Sequence, residues 1–250
     1  MPRTILITGA TAGFGEAIAK RFAALGDRLI LVGRRADRLA ALTGELAVPI
    51  LPLVLDVRDR AGIEQAIATL PADFAGIDVL VNNAGLALGL EPADQASLDD
   101  WETMIDTNVK GLMAMTRAVL PGMVARDRGH VINLSSTAGT YPYPGGNAYG
   151  ASKAAVTQFS LNLITDLVKT RVRVTNIEPG LCGGSEFSEV RFKGDKDAAA
   201  KVYAGTEPLT PEDVAEAVVW AANLPAHVNI NRIEMMPTCQ APAGLTVYRR

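Results

Sequence analysis

The sequence predicts an α/β fold, a doubly wound parallel sheet of about seven strands with helices on both faces. Three observations carry this expectation. Short β-rich runs alternate with helical patterns, the order of parallel strands joined by crossover helices. Two of the runs, Val79-Leu80-Val81 and Val131-Ile132-Asn133-Leu134, are almost wholly apolar, as strands buried on both faces should be. A glycine-rich run, Thr8-Gly9-Ala10-Thr11-Ala12-Gly13-Phe14-Gly15, falls where the first strand meets the first helix.

Strands are expected at 4–8, 28–33, 50–56, 79–83, 129–134, 172–178 and 233–236. Helical spacing runs over 15–25, 37–47, 60–69, 99–124, 149–169 and 210–223. Thr210-Pro211-Glu212-Asp213 gives the last helix a capping hydroxyl, proline at its first position and acids at its positive end. Residues 179–208 lack a regular period and follow the carboxyl end of a strand, so they are expected to form a functional loop. Residues 238–250 read as an ordered or semi-ordered C-terminal extension.

The 250 residues suit one domain spanning 1–250, and no composition shift divides them. A hydrophobic fraction of 48% with 20% charged residues is globular in character. Net charge is −3 with dispersed basic residues, which argues against nucleic-acid binding. No apolar run would span a bilayer, and the first strand starts almost at Met1, leaving no room for a signal peptide. Cys182 and Cys239 have no metal-ligand spacing and fit a reducing compartment. The expected location is the cytoplasm, with no metal.

At the strand-to-helix turn, Gly9 permits the tight bend, Gly13 lets backbone approach a pyrophosphate, and Gly15 allows close helix–strand packing. The helix N-terminus adds free N–H groups. The alternative is a purely structural turn, and a Rossmann-like dinucleotide site is the expected one. The second strand ends Gly33-Arg34-Arg35, with no acid before Asp37. An acid there would favour NAD by holding the ribose hydroxyl, whereas arginines accommodate a 2′-phosphate. The alternative is a solvated basic turn, and NADP(H) is the expected cofactor. Asp56-Val57 could meet adenine, and Asn83-Ala84-Gly85 closes the fourth strand. The asparagines there could instead merely satisfy backbone groups.

Tyr149 and Lys153 lie one helical turn apart, with Ser136 upstream. Such a pair is usually only a helix-face neighbour, but beside a dinucleotide site it suggests hydride chemistry with a tyrosine acid/base. A serine-hydrolase reading fails for want of a Gly-x-Ser-x-Gly elbow. Of the two histidines, His130 begins a strand and is expected to be solvated, while His227 packs or caps.

Thr8 to Gly15, Asp56-Val57, Asn83-Ala84-Gly85, Asn108, Ser135-Ser136, Tyr149-x-x-x-Lys153 and Pro179-Gly180 occur in one order along the chain. In these motifs the sequence resembles the short-chain dehydrogenase/reductase family from end to end. The resemblance implies that Tyr149 is the acid/base, that Lys153 lowers its pKa and holds the nicotinamide ribose, and that Ser136 positions the substrate oxygen. Asn108 would support a water-linked proton path to Lys153. The implied cofactor-binding set is Gly9, Thr11, Gly13, Phe14, Gly15, Arg34, Arg35, Asp56, Val57, Asn83, Gly85, Tyr149, Lys153, Pro179 and Gly180. A homotetramer is the implied assembly.

Residues 178–195, with Gly183-Gly184 and Arg191, are similar to the branch acting on short 3-hydroxy acids, including NADP-dependent serine/allo-threonine dehydrogenases that reduce malonic semialdehyde. Substrate contacts are then expected from Ser136, Tyr149, Gly184 and Arg191, the last clamping a carboxylate. The other reading makes Arg191 a solvent charge balanced by Glu186, Glu189 and Asp195. Cys182 reads as a small packing residue. Within the resemblance, Tyr248, Arg249 or Arg250 could reach a neighbouring active site. A sulfoacetaldehyde reductase is the alternative enzyme, and an NADP(H)-binding regulator the alternative from another class.

Overall fold

The computed structural model describes residues 2–242. Strands β1 (Thr4–Thr8), β2 (Arg28–Gly33), β3 (Ile50–Val54), β4 (Ile77–Asn82), β5 (Gly129–Leu134), β6 (Val172–Pro179) and β7 (Arg232–Met235) form one sheet. Its order is β3-β2-β1-β4-β5-β6-β7, and every neighbouring pair is parallel.

The two-residue period of a strand assigns side chains to opposite faces. Ile5 and Ile7 of β1, Leu29 and Leu31 of β2, and Val79 and Val81 of β4 enter one core. That core lies under α1 (Gly13–Ala24), α2 (Ala36–Glu45) and α9 (Pro211–Asn223). The intervening Leu6, Ile30, Val32 and Leu80 enter the other, under α3 (Arg60–Ala68), α5 (Leu112–Ala125) and α6 (Asn147–Asp166). Each such fully buried side chain contributes roughly 1.5–3 kcal/mol, and both faces of the central strands contribute in this way. From β1 the chain runs outward to β3 and then returns to β4 on the other side of β1. That reversal opens a crevice at the carboxyl ends of β1 and β4.

Two expected elements differ in detail. The helical pattern over 99–124 is α4 (Leu98–Ile105), a π-helical turn at Asp106–Gly111, and α5. Residues 179–208 hold two short helices, α7 (Phe187–Arg191) and α8 (Lys196–Lys201), too brief for a sequence period to register. The expected cap of α9 is present as a reciprocal Thr210–Asp213 box with Pro211 behind it. Tyr248, Arg249 and Arg250 lie outside the described residues. Among the described residues no helix is long and apolar enough to cross a membrane, and no three potential metal ligands cluster.

His130 is not solvated. Although it opens β5, that strand is internal, flanked by β4 and β6, and the side chain is buried with Nε2 2.8 Å from Thr175 Oγ1. Desolvation holds its pKa well below the ordinary value, with Arg173 and Arg3 acting in the same sense. His227 is exposed. The unfolded chain takes up a proton near pH ~6.5 that folded His130 refuses, so stability is lost as pH falls below that value. The loss should reach up to about 1.4 kcal/mol per pH unit. Urea unfolding from pH 7.5 to 5.0 should show a shallower loss in His130→Gln; equal losses would contradict the assignment.

Candidate active site

The crevice is a cleft of about 730 Å³, within the size range of ligand sites. At its base, β4 is tied to the glycine loop. Thr8 Oγ1 accepts the N–H groups of Asn83 and Ala84, both at 3.0 Å, while Asn83 Nδ2 donates to Thr8 O (2.9 Å) and Gly9 O (3.1 Å). Asn83 therefore supports the loop as well as lining the cleft. Gly9 turns with φ +66°, and a Cβ there would stand 2.9 Å from Ala84 Cα. Gly15 lies off the cleft wall, buried against the Gly9 carbonyl. The first turn of α1 has no side-chain cap, whereas Asp59, Asp195 and Thr210 cap α3, α8 and α9. Unclaimed N–H groups facing a cleft fit a pyrophosphate.

At the adenosine end the two expected arginines diverge. Arg34 is exposed, its nearest acid Asp56 at 3.9 Å. Arg35 donates to Thr11 Oγ1 (3.1–3.2 Å), to Thr11 O (3.3 Å) and to Glu186 Oε2 (2.7 Å). Asp56 is wrapped by Arg58, whose Nη2 lies 2.7 Å away, and this contact holds its carboxyl below the usual range. Val57 is pressed against Gly111 of the π turn, where a Cβ would stand 2.9 Å from Val57 Cγ2.

The expected catalytic residues converge on the ends of β5 and α6. Tyr149 and Lys153 are both buried, with Lys153 Nζ 5.8 Å from the phenol ring centroid. Lys153 Nζ donates to Leu134 O at 2.8 Å, and burial lowers its pKa to about 8. Burial also pushes the Tyr149 phenol up. Ser136 and Arg191 act in the opposite sense. Ser136 Oγ also donates to Pro179 O (3.3 Å) and accepts from Ala138 N–H (3.1 Å). Asn108 lies behind the cleft wall. Its amide spans Leu86 O (2.8 Å), Leu86 N–H (2.9 Å) and Ser152 Oγ (3.0 Å), tying the π turn to α6. π turns of this kind recur at functional sites. Gly85 sits between them, leaving room for Asn108 Oδ1 and Lys153 Nζ at 3.1 and 3.4 Å from its missing Cβ.

Arg191 is half-buried in the cleft rather than solvated. It donates to Gly89 O (3.1 Å) and Tyr143 Oη (2.6 Å), and its guanidinium lies 5.6 Å from the Tyr149 ring centroid. Phe187 meets the same ring edge-on at 5.8 Å. Gly184, by contrast, is exposed beside Pro211 and off the cleft wall. Pro179 and Gly180 do line it, Gly180 N–H donating to Met235 O at 2.8 Å. Cys182 also lines it, with its thiol pushed up to about 12 by burial, as befits a packing residue. Sequence reasoning missed three residues here. Tyr143 holds Arg191, Glu186 holds Arg35, and Gln240 accepts Leu181 N–H at 2.7 Å to close the β6 end. Only long-range contacts reveal them. Gln240, Ala241 and Pro242 place the described part of the C-terminal extension on the cleft wall.

The Lys153 ammonium carries a stability cost. Its folded pKa of about 8 lies below the ordinary ~10.4, so the folded chain buries an unwanted proton at neutral pH. That cost disappears as pH rises from about 8 to ~10.4. Lys153→Met should be more stable at pH 7 by on the order of 2 kcal/mol, roughly 4–8 °C in Tm. The gain should shrink toward pH 10; no gain at pH 7 would contradict it.

Comparisons with known proteins agree with this geometry. The family model of short chain dehydrogenase matches residues 3–195. The NADP-dependent 3-hydroxy acid dehydrogenase YdfG of Salmonella typhi is 66% identical over 98% of this chain and 99% of its own length. The serine 3-dehydrogenase of Agrobacterium fabrum is 50% identical over 100% of this chain and 99% of its own. A solved closed form of serine dehydrogenase complexed with NADP+ superposes with TM-score 0.97 at 63% identity, covering 99% of this chain and 100% of that one. The chain belongs to the short-chain dehydrogenase family.

Proposed function

We propose that the protein is an NADP(H)-dependent oxidoreductase that interconverts short 3-hydroxy acids and their 3-oxo acids or semialdehydes. Serine, allo-threonine, 3-hydroxypropionate and 3-hydroxyisobutyrate define the substrate type. The observation that carries this reading is a half-buried guanidinium, Arg191, set 5.6 Å from the Tyr149 ring. A carbonyl compound bound at Tyr149 with a carboxylate one or two carbons away would meet that cation. Arg191 spends two N–H groups on Gly89 and Tyr143. Roughly three of its five donors then remain for a bidentate carboxylate.

The nicotinamide supplies the hydride chemistry when bound. The uncapped α1 terminus with Gly9, Gly13 and Phe14 would hold its pyrophosphate. Arg34, Arg35 and Thr11 would take the 2′-phosphate, Asp56 and Val57 the adenine, and Asn83, Gly85, Pro179 and Gly180 the nicotinamide side. The relatives named above as NADP-dependent, or solved with NADP+, support this choice.

Tyr149, kept neutral by burial, gives its proton to the substrate carbonyl oxygen during reduction and takes one from the alcohol during oxidation. Ser136 orients that oxygen and stabilises its charge. Lys153 fixes the phenol side of α6 and offers its ammonium to the ribose hydroxyls. Asn108 keeps the π turn beside Lys153, where it serves a water-linked proton path. A regulator without turnover would not need this whole set. The family resemblance makes a homotetramer our reading of the assembly.

The test is a panel of L-serine, allo-threonine, 3-hydroxypropionate and 3-hydroxyisobutyrate with NADP+ or NAD+, and malonic semialdehyde and sulfoacetaldehyde in reverse. Carboxylate substrates with NADP+ should be preferred. Arg191→Met should raise KM for them by roughly 10–100-fold, the value of a charge-assisted pair. Turnover confined to uncharged alcohols would overturn the anchor, and a preference for sulfoacetaldehyde would move the assignment to sulfonates.

A further inference from the structure

One carboxylate fastens the substrate-side loop to the coenzyme side of the cleft. Glu186, immediately before α7, accepts Arg35 Nη1 at 2.7 Å and Arg38 Nη2 at 2.8 Å. Arg35 stands at the N-terminal end of α2 and Arg38 in its first turn. Arg35 simultaneously holds Thr11 of the glycine loop through its Nε and Nη2. The two guanidiniums keep the Glu186 carboxyl at about 2, so it is charged throughout any enzymatic pH range.

The neighbouring contacts show what this attachment crosses. Ser185 lies directly over Gly13, where a Cβ would stand 3.0 Å from Ser185 Cβ. At the other end of the five-residue helix α7, Arg191 binds Gly89 and Tyr143 beside Tyr149. Next to it, Lys193 pairs with Asp100 at 2.7 Å. The helix is therefore a strap, tied at Glu186 to the adenosine end and at Arg191 to the reaction end. An exposed ion pair is ordinarily weak. This one shares one acid between two arginines and acts on a loop whose opening need shift only slightly to change a rate severalfold.

We propose that Glu186 is a positioning residue that retains the coenzyme: by bridging Arg35 and Arg38 it clasps α7 across the cleft, and the bound coenzyme leaves only after the bridge opens. The opposite role carries the opposite sign. A carboxylate standing in for the 2′-phosphate would compete with it, and its removal would tighten coenzyme binding. Two features favour the clasp. Arg34 is not engaged by Glu186, and Arg35 Nε and Nη2 stay turned toward Thr11, so the phosphate side keeps cations while the bridge is closed.

The inference rests on the NADP(H) reading, and the experiment separates the two. NADPH is bound to the full-length protein, and its release is followed by stopped-flow fluorescence after a chase with excess NADP+. Glu186→Gln should release NADPH about fivefold to tenfold faster, with thermal stability unchanged. Arg38→Gln, which leaves the Arg35–Glu186 contact in place, should speed release by a smaller factor, and the double variant should be no faster than Glu186→Gln alone, because that change already removes both arms of the bridge. Release that is unchanged or slower in Glu186→Gln overturns the clasp, as do effects that multiply in the double variant. Failure of the unaltered protein to bind NADPH would overturn the coenzyme reading and the clasp with it.

Discussion

The active-site end of the molecule is organised around an ammonium held in the interior by a single carbonyl. Lys153 Nζ donates to Leu134 O at the end of β5, and among the described residues no carboxylate hydrogen-bonds or pairs with it. An interior charge with so little compensation must be held from every side. Its own backbone carbonyl accepts from Ser135 Oγ at 2.7 Å. Its neighbour Ser152 is bound by Asn108 at 3.0 Å. The short 3-10 turn at Thr137–Gly139 packs so closely on α6 that a Cβ on Gly139 would stand 2.8 Å from Lys153 C. Ser135, Asn108 and Gly139 thus serve one purpose from three elements. Tyr149, one helical turn away, inherits the fixed geometry.

The same arrangement sets the chemistry. Burial that lowers the lysine raises the tyrosine, so the pair reaches neutral pH as a largely charged base beside a neutral acid. In the proposed reaction, a neutral phenol beside a positive region would donate its proton to a carbonyl that is accepting hydride. Positive charge gathers at two separate places along the cleft, Arg34 and Arg35 at one end and Arg191 at the other. Spacing between those cations, rather than their number, would select a phosphorylated coenzyme together with a short acid.

Most of the scaffold was legible because its signals are local. The alternation of Ile5, Leu6 and Ile7 states which core each side chain enters, and the glycines mark the turn beneath α1. The order of motifs likewise placed Ser136, Tyr149, Lys153 and Arg191 on one cleft. What escaped is non-local or locally silent. The π turn at Asp106–Gly111 continues the spacing of α4 into α5, so the apolar pattern does not register it. His130 looked solvated because Arg128-Gly129 suggests an exposed strand start, and only the flanking strands bury it. Arg35 and its partner Glu186 lie 151 positions apart, and Arg191 and Tyr143 lie 48 apart. Arg35 was expected to await a phosphate, yet part of its fork is already committed.

In the proposed reaction Tyr149 moves the proton from a site organised by Lys153. Single-turnover reduction of malonic semialdehyde with NADPH in Tyr149→Phe isolates that step. NADPH affinity should stay within about twofold of the unaltered protein, since the ring and its packing remain. The hydride-transfer rate should be lower by roughly 10²–10⁴-fold, the usual contribution of a positioned general acid. Turnover within tenfold of the unaltered protein, with NADPH bound normally, would contradict it.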